Sequence, residues 1–118
     1  CRANRISLGF RCCSDQSGFR GPDTDGSTSS AGYAPWAIVD LKAAIRTLRA
    51  NTAVLAGSTD RIFALGAGAG GALAALVGAS GSSKEYTSYL TESGAPTVNQ
   101  DGTTISDAIF GVACWNPT

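Results

Sequence analysis

Apolar residues recur at helical spacing in the middle of the chain: Ile38, Leu41, Ile45 and Leu48, with Ala44 beside them. That spacing predicts an amphipathic helix with one apolar stripe. Pro35 suits its first position, where a missing N–H costs nothing, so the helix is expected over 35–51. Lys42, Arg46 and Arg49 fall on other faces and are expected to stay in water. Gly57-Ser58-Thr59-Asp60 marks a turn. The apolar run Arg61 to Leu65, bounded by turn signals, predicts a buried strand. Ala69 to Val77 is rich in Ala and Leu and predicts a second helix, ended by Gly78 to Ser83. Lys84 to Glu92 predicts a short third helix with Tyr86, Tyr89 and Leu90 on one side. Gly94 to Thr104 reads as loop, and Ala108 to Cys114 as a second apolar strand. The order helix, strand, helix, helix, strand is what an open, mostly parallel α/β sheet produces. The chain has no internal repeats.

Upstream of this pattern the chain changes character. Cys1 to Asp15 is basic and cysteine-rich. Gly21 to Gly32 is Gly, Pro, Asp, Ser and Thr with almost no apolar residue, as in a loop or linker. The expected division is a cysteine-rich segment at 1–17, a linker at 18–32 and a folded region at 33–118. With 118 residues, the chain supports one modest domain with a small core.

Composition narrows the function classes. Charged residues make up 15% of the chain, below the usual ~25%. Nine basic residues balance nine acidic ones, so no basic field exists to hold nucleic acid or an anionic membrane. The weakly polar stretch Ile62 to Ala79 is interrupted by Gly66, Gly68, Gly70, Gly71 and Gly78, and a spanning helix needs about 20 apolar residues. The chain begins at Cys1, with no Met and no signal-peptide pattern, and is expected to be processed or cut from something longer. Cys1, Cys12, Cys13 and Cys114, with few lysines and many hydroxyls, suit a secreted or extracellular protein with two disulfides. Four cysteines allow three pairings, all of which stay open. Zinc wants Cys-x-x-Cys spacing or histidines, and the chain has neither. Asp23-Thr24-Asp25-Gly26 alternates carboxylates like a calcium loop, but Ala34 stands where the twelfth-position Glu belongs, so an Asx turn is expected. No metal or cofactor is expected. No Asn-x-Ser/Thr acceptor occurs, and composition alone supports O-glycosylation of Ser27 to Ser30. Trp36 and Trp115 are expected as core or rim of the sheet.

The informative segment is Arg61-Ile62-Phe63-Ala64-Leu65-Gly66-Ala67-Gly68-Ala69-Gly70-Gly71, a strand running through a glycine turn into a helix. Two chemistries use that geometry. A nucleophile elbow, G-x-S-x-G, lifts one side chain above the sheet and aims helix N–H groups at an oxyanion. In that frame Gly66 and Gly70 flank an apex at Gly68, which has no side chain. The dinucleotide fingerprint G-x-G-x-x-G is matched by Gly66, Gly68 and Gly71. It also wants an acid about 20 residues on, at the end of a second strand; Glu92 has the distance but lies in a polar stretch. A third reading is a glycine turn that only lets a helix pack close to a sheet.

The flanks resemble one family. Ala34-Pro35-Trp36-Ala37-Ile38-Val39-Asp40-Leu41-Lys42-Ala43-Ala44-Ile45-Arg46 is similar to the helix before the elbow in tannase- and feruloyl-esterase-like α/β-hydrolases. Thr59-Asp60-Arg61-Ile62-Phe63 resembles their elbow strand, and Gly70-Gly71-Ala72-Leu73 with Gly78-Ala79-Ser80-Gly81 their elbow helix and its exit. Tyr86-Thr87-Ser88-Tyr89-Leu90, Ile105-Ser106-Asp107-Ala108-Ile109 and Cys114-Trp115-Asn116-Pro117 follow in order, though the family more often carries a second cysteine near Asn116. The resemblance covers residues 33–118 and implies a partial α/β-hydrolase-like parallel sheet with flanking helices. For intact members it implies hydrolysis of aromatic carboxylic esters. Gly18-Phe19-Arg20-Gly21 corresponds to the family's Gly-Arg-Gly loop, so Phe19 or Arg20 joins Ala69 as a candidate oxyanion-hole donor. Cys1-Arg2-Ala3-Asn4-Arg5 and Leu8-Gly9-Phe10-Arg11-Cys12-Cys13 look instead like the C-terminal end of formylglycine-generating-enzyme-like domains.

The departures decide the expectation. The family's serine maps onto Gly68, and its acid and histidine lie beyond Thr118; the chain has no histidine at all. A triad needs nucleophile, base and orienting acid. Asp101 and Asp107 read as loop and strand-start residues. The expected function is therefore a secreted esterase-like domain without its catalytic serine, or a partial sequence of one that has it. Its expected partner is an aromatic ester or other small molecule. Alternatives are a secreted structural subunit that self-assembles into filaments, and a dinucleotide-binding βαβ unit.

Overall fold

The computed structural model describes residues 35–55 and 57–117. The expectations for 1–34, among them the cysteine-rich segment, the linker, Phe19, Arg20 and the Asp23–Gly26 turn, lie outside the described residues. The elements are α1 (Trp36–Ala50), β1 (Phe63–Ala67), α2 (Ala69–Ala79), a 3-10 turn (Lys84–Tyr86), α3 (Thr87–Glu92) and β2 (Gly111–Trp115). The predicted order holds, and β1 and β2 pair in parallel, with Phe63 opposite Gly111 and Ala67 opposite Trp115. No helix among the described residues is long and apolar enough to cross a membrane.

The apolar stripe of α1 makes the core. Ile38 and Ile45 are buried with Val77 of α2, and Leu41, Ile62, Ala64, Leu73, Tyr86 and Ile109 close around them. Pro35 stands one position before the helix rather than in it, and its carbonyl accepts the Val39 N–H at 3.1 Å. Trp36 packs edge-on against Tyr89 of α3, with ring centroids 5.6 Å apart. Residues 94–104 form the expected loop, pinched by a bridge between Val98 and Thr104 and by Asp101, which accepts the N–H and hydroxyl of Thr103.

Two of the chain's cations do not stay in water as the periodicity suggested. Lys42 is fully buried and Arg46 nearly so, while Arg49 is half-buried. Their common partner is Asp107, 0% exposed. Lys42 Nζ donates to Asp107 Oδ1 at 2.8 Å, and Arg46 Nε donates to Oδ2 at 2.8 Å. The Ser82 N–H donates to Oδ1, also at 2.8 Å. Lys42 additionally donates to the Ser80 carbonyl and lies 4.9 Å from the centre of the Tyr86 ring. Val39, Lys42 and Arg46 are three and four residues apart, so they form a second buried stripe beside the apolar one. Arg49 continues it, donating to the carbonyls of Thr59 and Ser106. Among the described residues no buried side-chain polar atom lacks a partner.

Both strands differ from the expected bounds in the same direction. β1 starts at Phe63 instead of Arg61, and β2 at Gly111 instead of Ala108. Ser106, Asp107 and Ala108 are engaged upstream of the ladder, where Asp107 is tied to α1 and Ala108 abuts Gly81. Nor is β1 buried on both sides. Ala64 and Gly66 face the helices, while Phe63 and Leu65 are 57% and 70% exposed on the opposite face. Trp115, 60% exposed, shares that face, and Phe110 packs edge-on against Phe63 at 5.3 Å. A short apolar run bounded by turns signals burial, but the described helices cover only one face of this sheet.

Burial pushes the Asp107 carboxyl up, but the bonds from Lys42, Ser82 and Arg46 outweigh it and hold the group below its ordinary 3.8. Its stabilising contribution is therefore complete above 3.8 and is lost as pH falls through the lower folded value. Asp107→Asn should cost about 3–5 kcal/mol at neutral pH, as expected when one partner of a buried ion pair is removed. It should also flatten the acid limb of stability, leaving the smaller share of exposed Asp101. Thermal unfolding of both proteins across acidic and neutral pH checks this.

Candidate functional site: the glycine elbow

The turn between β1 and α2 is built by exclusion of side chains. A Cβ on Gly66 would lie 2.1 Å from the Gly70 carbonyl oxygen, so only glycine lets strand and helix meet this closely. A Cβ on Gly71 would sit 2.9 Å from the Trp115 carbonyl oxygen, so Gly71 lets β2 approach the first turn of α2. Gly70 differs, since a Cβ there meets nothing within 4 Å. Gly68 is the apex, with φ 59° and ψ −130°, a backbone state that side-chain-bearing residues rarely adopt. Its N–H donates to the Trp115 carbonyl at 3.0 Å, and its own carbonyl accepts the Ala72 N–H at 3.1 Å. The elbow is thus closed from the β2 side and opens α2 on the other.

Ala69 is the first residue of α2, and the first N–H groups of a helix have no partner within it. They sit at the positive end of the helix dipole, which suits a carbonyl oxygen or an anion. α2 lacks an acidic residue in its first turn and a side-chain cap. The structure brings the predicted elbow residues Gly66, Gly68, Ala69, Gly70 and Gly71 together at the carboxyl ends of both strands. Phe19 and Arg20 lie outside the described residues, as do Cys1, Cys12 and Cys13. Cys114 is exposed on β2. Glu92 ends α3, not a strand, so the acid of the dinucleotide arrangement is not where that reading needs it. The Asp107 cluster, which the local pattern marks only as a strand start, lies toward the opposite end of the strands. Its one sequence signal is the i, i+4 spacing of Lys42 and Arg46 on an otherwise well-formed helix.

A strand turning through a positive-φ glycine into a helix is the shape of a nucleophile elbow. The BD-FAE family profile matches residues 24–109, and the chain belongs to that family. Its structural relatives are tannases. A tannase from Fusobacterium nucleatum is 48% identical over 73% of this chain, with a TM-score of 0.64. A tannase from Lactobacillus plantarum is 44% identical over the same share, also at 0.64. A tannin acyl hydrolase in complex with ethyl gallate is 39% identical over 89% of this chain, at 0.65. The chain spans 16%, 17% and 19% of the length of those three structures respectively. No curated protein matches the chain.

The two flanking glycines should respond oppositely to the same change. Gly66→Ala should destabilise severely, because the new methyl meets fixed backbone. Gly70→Ala should stabilise by about 0.5–1 kcal/mol, the usual gain when alanine replaces glycine in a helix. Denaturant midpoints of the two variants against the parent check both signs.

Proposed function

We propose that the chain is the elbow region of a secreted ester hydrolase of the tannase and feruloyl esterase type, with residues 33–118 as its folded part. With glycine at 68, it holds an aromatic carboxylic ester without cleaving it through this elbow. The observation that carries the reading is Gly68 itself, a residue without a side chain at the apex of the turn. The ligand class follows from the relatives, one of which was solved with ethyl gallate and another, 43% identical, with 3,4-dihydroxybenzoate. The cysteine usage supports secretion.

The chemistry at the site follows from what it keeps and lacks. An ester carbonyl directed at the start of α2 receives the Ala69 N–H. Such donors act chiefly on the charge that develops when a nucleophile adds, at about 2.7–4 kcal/mol each. With no hydroxyl at 68 no bond forms to the carbonyl carbon, no oxyanion develops, and the donor holds only a neutral oxygen. The sequence also lacks a histidine to take the proton. What remains is weak, reversible binding.

Ethyl gallate titrated into the natural protein should give saturable heat with no gallic acid released. Continuing release of gallic acid, or a burst of ethanol equal to the protein concentration, would overturn the proposal. Trypsin cleaves after Arg61 and Lys84, so one peptide, Ile62–Lys84, reports residue 68 of the natural protein by mass spectrometry. A serine there would restore the nucleophile position and overturn the proposal. Gly68→Ser in this sequence should lower stability by about 1–3 kcal/mol, from placing a side chain at positive φ, and should confer no turnover on the chain by itself.

A further inference from the structure

The second strand marks its own register only weakly. From Ala108 to Trp115 the sequence is apolar throughout, Ala-Ile-Phe-Gly-Val-Ala-Cys-Trp. Register is specified by alternation of apolar and polar side chains, and it is weak where that alternation is missing or glycine intervenes. A slip of two residues would keep every side chain on its face and repeat the same ladder. It would also carry the Trp115 carbonyl roughly 7 Å from the Gly68 N–H it now accepts. Glycine at 111, where a Cβ would lie 2.9 Å from the Phe63 ring, opposes that slip within the sheet, and the approach to β2 carries a second restraint.

We propose that Asp107 pins the register of β2 and thereby positions the elbow, a role that takes its functional meaning from the hydrolase reading of the turn. Asp107 is fully buried and receives Lys42 and Arg46 from α1 and the N–H of Ser82 from the segment after α2. Arg46 adds a second contact, Nη2 to Oδ2 at 2.7 Å. Ser82 is itself held at φ 56°, a left-handed state rare for serine, with its hydroxyl 2.5 Å from that of Ser106. Moving Asp107 by one or two residues would strand two buried cations and the carboxylate together, the costliest way to break such a cluster. From this fixed point the chain is laid down in one way. Ala108 abuts Gly81, the Phe110 N–H donates to the Ile62 carbonyl at 2.9 Å, and residues 111–115 pair with 63–67. The Trp115 carbonyl then meets the Gly68 N–H. Asp107 touches nothing at the elbow; it acts through the strand and is a positioning residue.

Amide hydrogen exchange on the full chain tests this. Asp107→Asn keeps the shape of the side chain and removes its charge. Exchange at Gly68 should accelerate at least tenfold more than exchange at Ile45 and Val77, which report the helices. Equal acceleration at all three sites would mean general loosening and would overturn the proposal, as would an unchanged Gly68. Should the asparagine variant not fold, Arg46→Lys removes the two-nitrogen contact on Oδ2 while keeping the charge. It should give the same selective loss at Gly68, at about threefold, and uniform or absent acceleration would overturn the proposal there too. The readout is backbone protection, so failure to bind ethyl gallate would count against the proposed function alone.

Discussion

The carboxylate of Asp107 gives up all contact with water and takes hydrogen bonds from two helix side chains and one backbone amide instead. Removing a charge from water is expensive, and the exchange is tolerable only when every lone pair finds a donor. Here both oxygens find donors, which come from parts of the chain 25 to 65 residues away. α1, the exit of α2 and the approach to β2 are therefore committed to one another by a single side chain. Such clusters contribute modestly to net stability compared with an apolar core of the same volume. Their distinctive effect is to make wrong arrangements costly. To the apolar fit of Ile38, Ile45 and Val77 the ion cluster adds a polar requirement that a shifted strand fails to meet.

α1 is consequently a helix with two inward faces. One side supplies aliphatic contact with α2, and the other supplies the cations that hold the approaches to both strands, Arg49 reaching the segments before β1 and β2. The sheet has the opposite asymmetry. Its helix side is closely packed, to the point that a Cβ on Gly78 would run into the Val112 side chain. Its other side carries Phe63, Leu65, Phe110 and Trp115 in the open. Parallel strands are ordinarily covered on both faces, and an aromatic face of this kind has the chemistry of an interior surface.

Much of this is legible in the residues. The 3- and 4-residue spacing of Ile38, Leu41 and Ile45 marks α1, and the succession of Phe63, Gly66, Gly68 and Leu73 marks strand, turn and helix. The elbow is readable because glycines at these fixed offsets, between a strand and a helix, fit few backbone geometries besides a tight turn. The burial of Lys42 and Arg46 is not readable, since periodicity places a residue on a face without saying what approaches that face. Asp107 is 61 residues beyond Arg46, and no local pattern links them. The strand limits miss for the same cause: Ala108 looks like strand, yet its neighbour's charge holds it outside the ladder. The one-sided exposure of β1 escapes as well, because an apolar run records what a strand tolerates on both faces, not what covers it.

The elbow separates two things that a working hydrolase combines, a bent backbone and a reactive side chain. A side chain at the apex makes the bend strained. Glycine at φ 59° makes it unstrained, so the bend itself does not depend on what the apex carries. Described genetically, the two states are close neighbours. Glycine codons GGT and GGC become serine codons AGT and AGC by a single base change. Where the apex glycine is encoded by one of these, a hydroxyl at the apex is one base change away, at the strain cost of a side chain at positive φ.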